Sequence, residues 1–295
     1  MRVYYRPDYV RAAYAFDTTR KARWIAESLA AQPIAGIELA VPEPVSEAQL
    51  CTVHDTAYVA AIRSGLPRAV AESSGLAWDA GLWTAVRAST GGVLAAVRAA
   101  LDDGVAGSLS SGLHHAKRDR GDGYCTFNGL ALAAYDALEA GARAVLILDL
   151  DAHCGGGTYS LIASEPRIRH ADIAVNVFDR YHPAAPHTLQ LVETAADYLA
   201  AVSTLLDALA ASSQGYDLCL YNAGMDPFEG CAIGGLHGVT RETLAVRERM
   251  VFAWARDRQL PISFVLAGGY SGPRLAQEAL VDLHRLTIEA AASVH

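Results

Sequence analysis

Short, almost uninterrupted apolar runs recur along this chain. Each is followed by a stretch whose apolar residues return every three or four positions. The runs are RVYY at 2–5, GIELA at 36–40, GVAGSLS at 104–110, RAVLILDLD at 143–151, DIAVNVF at 172–178, YDLCLYNAG at 216–224 and PISFVLAGG at 261–269. Helical periodicity covers 17–31, 80–103, 127–140, 188–211, 240–258 and 274–292. A strand that is apolar on both faces has to be covered on both, and strand–helix alternation supplies that cover. The pattern therefore predicts an α/β fold, a mainly parallel sheet between two layers of helices. No repeat and no polar linker interrupts the 295 residues, so one domain spanning 1–295 is expected.

With 52% hydrophobic and 19% charged residues the chain has material for a large core, but no apolar stretch long enough to span a bilayer. Its first residues, MRVYYRPDYVRAAYAFD, lack the apolar segment of a secretory signal. A soluble, cytoplasmic protein is expected. The net charge of −8, without any Lys/Arg cluster, argues against direct nucleic-acid binding and leaves a small molecule or a side chain as partner. The five cysteines are Cys51, Cys125, Cys154, Cys219 and Cys231. No two have CxxC spacing, so reduced thiols are expected rather than a disulfide framework or a cysteine zinc site.

In open sheets of this kind ligands bind outside the carboxyl ends of the strands. The unusual residues fall there: SSGLHHAK, DLDAHCGGG, NAGMD and AGGYSG each follow a strand-like run. Asp151 and His153 are two apart, so in extended backbone they share a face and can meet on one ion. Asp226 can add a third ligand from a neighbouring strand end. Two carboxylates and one imidazole with an open position suit catalytic zinc or ferrous iron. Asp149 lies on the same face, one step deeper, where it can orient a histidine. Taken alone, an Asp-x-Asp more often caps a helix; the other strand ends make the difference. The glycines after Cys154 are read as letting the backbone approach the ion closely.

His114 and His115 are adjacent in a loop that can aim both at one pocket, where histidines serve as general base and electrostatic partner. Tyr270, after Gly268 and Gly269, can donate a hydrogen bond to a developing oxyanion.

GLHHAKRDRGDGYCTFNGLALA, DLDAHCGGGT, NAGMDPFEGCAIGGLHGVT and LAGGYSG resemble, in order and spacing, the motifs of the zinc-dependent histone deacetylase superfamily, whose bacterial members include acetylpolyamine amidohydrolases and acetoin-utilisation-type proteins. VHDTAYVAAI at 53–62 and the Gly91–Gly92 pair are similar too. The resemblance implies the arginase/deacetylase three-layer α/β/α sandwich and removal of an acetyl or other short acyl group from an amine. It implies Asp151, His153 and Asp226 as zinc ligands, His115 as general base and then acid, His114 as its assistant, and Tyr270 as the group that polarises the amide carbonyl. Asp149 would support His114 and, with carbonyls near Asp151 and His153, help to hold a structural potassium ion. Gly123 and Tyr124 would form one wall of an acyl-lysine channel, with His182, Ile233 and Gly268 as further substrate contacts. A homo-oligomer is compatible with the family.

Three departures stand out. Cys154 replaces a histidine, and Gly156 stands where relatives carry the Asp or Asn that supports the second tandem histidine, so His115 is expected to lack a polar partner. No acidic rim residue is evident; Glu72 and Asp79 are the candidates. Position 228 is Phe, which removes the second carboxylate that an arginase-type two-manganese ureohydrolase needs. The competing reading is a non-catalytic acyl-group binder, favoured only by the missing partner of His115.

Overall fold

The computed structural model describes residues 1–12, 16–212 and 214–295. Its centre is one eight-stranded sheet: β1 (Arg2–Tyr4), β2 (Glu38–Ala40), β3 (Val105–Ser108), β4 (Val145–Asp149), β5 (Ile168–Ala174), β6 (Thr188–Leu191), β7 (Leu218–Ala223) and β8 (Ile262–Leu266). The order across the sheet is β2-β1-β3-β8-β7-β4-β5-β6, and every pairing is parallel. Parallel neighbours need crossovers; a loop at 175–187 joins β5 to β6, and elsewhere helices supply them. They are α1 (Lys21–Ala31), α2 (Glu47–Leu50), α3 (Thr56–Ser64), α4 (Arg68–Ala71), α5 (Leu82–Asp103), α6 (Gly129–Glu139), α7 (Gly156–Ile162), α8 (Ala195–Ala211), α9 (Arg241–Asp257) and α10 (Gln277–Ala292).

The period of two along β4 explains the sandwich. Val145 and Ile147 join a core with residues of α3, α5 and α6; Leu146 and Leu148 join a second core with residues of α1, α8, α9 and α10. Both faces are thus dry, which is why these strands read as continuous apolar runs.

Two segments differ from the sequence reading. The run at 172–178 overlaps β5 only partly, because β5 starts at Ile168 and the chain leaves the sheet after Ala174. Residues 188–191, which share the helical periodicity of 188–211, form the edge strand β6, and α8 begins at Ala195 under a Thr194 cap whose side chain accepts from the Asp197 N–H. Among the described residues no helix is long and apolar enough to cross a membrane.

The strand order places β3, β8, β7, β4 and β5 side by side. The loops leaving these five neighbours converge at one end of the sheet and carry the residues singled out above.

Candidate active site

The loop after β3 carries the tandem histidines and is held from two sides. Asn128, the cap of α6, donates from Nδ2 to the carbonyls of His114 and Ala116, both at 3.2 Å, and the Thr158 N–H donates to the His114 carbonyl at 2.8 Å. His54 ties down the same loop: its Nδ1 donates to the Lys117 carbonyl at 2.8 Å, and its Nε2 accepts from the Asn128 N–H at 3.0 Å. Burial holds His54 neutral by lowering its pKa from the ordinary 6.5 to about 4. The unfolded chain binds this proton below pH 6.5 and the folded one does not, so stability is lost as pH falls from 6.5 towards 4, by about 3 kcal/mol in total. We expect His54→Gln to flatten the fall of melting temperature across that window. Parallel curves for the variant and the wild type would contradict the assignment.

At the end of β4, Asp149 is fully buried. Its Oδ2 accepts from His114 Nδ1 at 2.9 Å and its Oδ1 from Asn222 Nδ2 at 2.8 Å. Beyond it the structure brings Asp151, His153 and Asp226 together, all buried, with one ligand atom of each within 4.8 Å of the others. His153 Nδ1 lies 3.1 Å from Asp151 Oδ1 and 3.1 Å from Asp226 Oδ2. Donors bound at about 2.0 Å to one tetrahedral ion lie about 3.3 Å apart, so this trio has the spacing of a metal centre. The remaining valences agree. Asp226 Oδ1 accepts from the Ala152 N–H at 2.9 Å and Asp151 Oδ2 from the Gly268 N–H at 2.7 Å, whereas Asp226 Oδ2 is buried without a hydrogen-bond partner. A buried carboxylate oxygen with an unfilled valence, facing an imidazole nitrogen, fits a cation.

The two tandem histidines are electrostatically unlike. Burial opposes charge on His114, but the Asp149 and Asp151 carboxylates outweigh it and raise its pKa to about 10. Burial and the neighbouring charge of His114 push His115 down to about 4. The carboxylates thus favour charge on one ring while burial and that charge disfavour it on the other, although their centroids are only 3.9 Å apart.

His115 does have a polar partner, contrary to expectation. Its Nδ1 is 3.0 Å from Asp179 Oδ2, a carboxylate from the loop after β5. The glycines after Cys154 also act differently from the sequence reading. They open α7 rather than lying beneath the ion, and each admits a neighbour. A Cβ on Gly155 would lie 2.8 Å from Asp149 Oδ2, one on Gly156 would overlap the Asp179 carbonyl, and one on Gly157 would overlap the His115 backbone. Cys154 is a buried free thiol directed at the Asn176 carbonyl, 3.3 Å away, and burial raises its pKa to about 12.

Above the trio opens a cleft of about 280 Å³ lined by His115, Gly123, Tyr124, His153, Asn176, Phe178, Ile233 and Tyr270. Gly123 and Tyr124 both have positive φ, and a Cβ on Gly123 would lie 2.5 Å from the His115 ring and 2.8 Å from Phe178. Tyr270 packs on Phe16 with 5.5 Å between ring centroids, and its N–H donates to Cys231 Sγ at 3.0 Å. Two expected substrate contacts lie elsewhere. His182 is exposed and outside the cleft lining; the loop leaves the sheet early enough that Phe178 forms the wall, edge-on to His115 at 4.9 Å. Gly268 is buried behind the metal trio, where its N–H holds Asp151. The rim candidates are occupied within their own loop, Glu72 accepting from the Trp78 N–H and Asp79 from the Gly81 N–H, and among the described residues no carboxylate lines the cleft.

The chain is similar to known proteins in sequence and in fold. The histone deacetylase domain family matches residues 15–285. An uncharacterized protein of Picosynechococcus sp. is 32% identical over 235 residues, covering 78% of each chain. Histone deacetylase 2 of Arabidopsis thaliana is 28% identical over 273 residues, covering 84% of this chain and 68% of that protein. The crystal structure of acetylpolyamine aminohydrolase from Burkholderia pseudomallei superposes with a TM-score of 0.78 at 19% identity, covering 100% of this chain and 99% of the other. With the family match running over residues 15–285, the chain belongs to the histone deacetylase family and is a hydrolase of the deacetylase type.

Proposed function

We propose that the cleft hydrolyses the amide between a short acyl group, acetyl in the first place, and an amine at the end of a slender arm: an acyl-lysine, an acetylpolyamine or a small metabolite. The observation that carries this reading is the position of His153 Nδ1, 3.1 Å from one oxygen of Asp151 and one of Asp226, at the floor of a cleft that His115 and Tyr270 also line. Zinc or ferrous iron suits one imidazole and two carboxylates with a position left open. When bound, such an ion supplies Lewis acidity, which lowers the pKa of water and polarises a carbonyl.

The protein's own groups divide the remaining work. His115 is neutral and its Nδ1 is taken by Asp179, so Nε2 is the nitrogen that accepts the proton of the attacking water and returns it to the leaving amine. Tyr270 donates its hydroxyl hydrogen to the carbonyl oxygen as negative charge builds there. His114, held by Asp149 at 2.9 Å and set 3.6 Å from Asp151, adds positive character beside the site and steadies the developing negative charge. Gly123, Tyr124, Phe178 and Ile233 narrow the entrance to an apolar slot suited to an aliphatic arm. A structural potassium ion beside Asp149 is part of the proposal; Asp172, the buried partner of Asp149 in the sheet register, supports it by leaving Oδ1 without a hydrogen bond. The binder reading loses its support, because His115 has the carboxylate it was expected to lack.

Metal-loaded protein assayed on a panel of acyl-lysine and acetylpolyamine substrates tests the proposal. Turnover is expected, with Tyr270→Phe lowering kcat about 10²- to 10³-fold. Stoichiometric metal without turnover on any substrate would favour a binder.

A further inference from the structure

The loop after β5 carries a carboxylate that no sequence motif announces. Asp179 Oδ2 accepts from His115 Nδ1 at 3.0 Å and from the Gly157 N–H at 2.9 Å. Its other oxygen lies 3.1 Å from Lys117 Nζ, which also donates to Asp122 at 2.8 Å. Two separate segments thus fix this one side chain of the β5 loop: the tandem-histidine loop and the first turn of α7. The backbone at Asp179 has φ 58, a left-handed conformation rare for residues with a side chain and best tolerated by Asp, Asn and Gly. Position 156 complements it. A Cβ there would overlap the Asp179 carbonyl oxygen and come within 2.7 Å of Oδ1, so any residue but glycine expels Asp179 from its place.

We propose that Asp179 is the positioning residue of His115, holding the ring as its Nδ1–H tautomer, and that position 156 is glycine to admit this carboxylate from the neighbouring strand end. A carboxylate supplied by the first turn of α7 and one supplied by the β5 loop would occupy the same space; this chain has the second. The relocation has a consequence for specificity. Phe178, next to Asp179, is the cleft wall, so the segment that orients the base also shapes the entrance for the substrate arm. The proposal rests on His115 acting as the base in the hydrolysis proposed above.

Two variants of the full chain test it. Asp179→Asn keeps the side-chain volume and tolerates positive φ; Asp179→Gly removes the carboxylate without backbone cost. Imidazole nitrogen–proton correlation spectra, with His115 assigned by difference from His115→Gln, should show one Nδ1–H tautomer with a downfield proton in the wild type. That signal should be lost in Asp179→Gly. On the best substrate kcat should fall roughly 10²-fold or more with KM within about twofold. Formate, a carboxylate small enough for the vacated space, should restore part of the rate of Asp179→Gly saturably and leave Asp179→Asn unchanged. Wild-type tautomer and proton shift in both variants, or an unaltered kcat in Asp179→Gly, would overturn the proposal. If the tautomer changes but the wild type turns over no acyl amine, the pairing stands and the hydrolytic reading fails.

Discussion

Asp226→Asn is expected to lower divalent-metal affinity by at least roughly 10²-fold, beyond the loss seen when only a supporting partner of a metal-bound histidine is removed, and to take turnover down with it. The substitution is nearly isosteric. Asp226 Oδ1 is needed as an acceptor by the Ala152 N–H, so the asparagine oxygen is held there and the amide nitrogen, a donor with no free lone pair, faces His153. The fold should survive. Burial and the charge of Asp151 raise the Asp226 carboxyl, while Asp226 in turn helps to raise His153, so the substitution removes a costly buried charge and a partner of the imidazolium together. Competitive metal titration checks the affinity, and melting curves in chelator check that the fold survives. Full metal occupancy in the variant would remove Asp226 from the ligand set.

Gly268→Ala should be nearly as damaging, although it alters no ligand. The new methyl would overlap Asp226 Oδ2 and lie 2.6 Å from Asp151 Oδ2. The backbone cannot step aside. The Gly268 N–H is committed to Asp151 at 2.7 Å and its carbonyl accepts from the Met225 N–H at 2.7 Å. The ligand carboxylates therefore have to move, and with a spacing of about 3 Å to keep they cannot hold the ion. We expect a loss of metal affinity of about 10²-fold or more and a stability loss of about 1–3 kcal/mol from overpacking. Gly215→Ala is the control, since Gly215 is exposed with no atom within 4 Å of an added Cβ. Wild-type metal affinity in Gly268→Ala would show that the strand end yields more easily than its hydrogen bonds imply.

The metal trio was legible because its residues sit at strand ends, where local pattern fixes both the element and the side-chain parity. Asp151 and His153 follow β4 by period two, and Asp226 follows β7 in the same way. The path of the β5 loop was not legible. DIAVNVF reads as one strand, yet pairing with β6 stops at Ala174, so Asn176, Phe178 and Asp179 turn towards the cleft rather than extending the sheet. That break is set by tertiary contacts, the N–H groups of Val175 and Asn176 both donating to the Ala152 carbonyl. For the same reason the sequence points to His182 for a wall that Phe178 forms. A signal for Asp179 did exist. A glycine where His115 needed a carboxylate implied a replacement from an adjacent strand end, and the β5 loop carries Asp179 next to an aromatic residue.

The five neighbouring strand ends contribute residues from His114 to Tyr270, drawn from widely separated parts of the chain but side by side in the sheet. No contiguous fragment of the polypeptide holds a working centre. During folding, the closure of these long loops precedes any gain from the groups they bring together. Cation capture should therefore be among the last events of maturation, a clasp fastened only after the middle of the sheet is in register. Metal uptake during refolding would then serve as a clock for tertiary assembly.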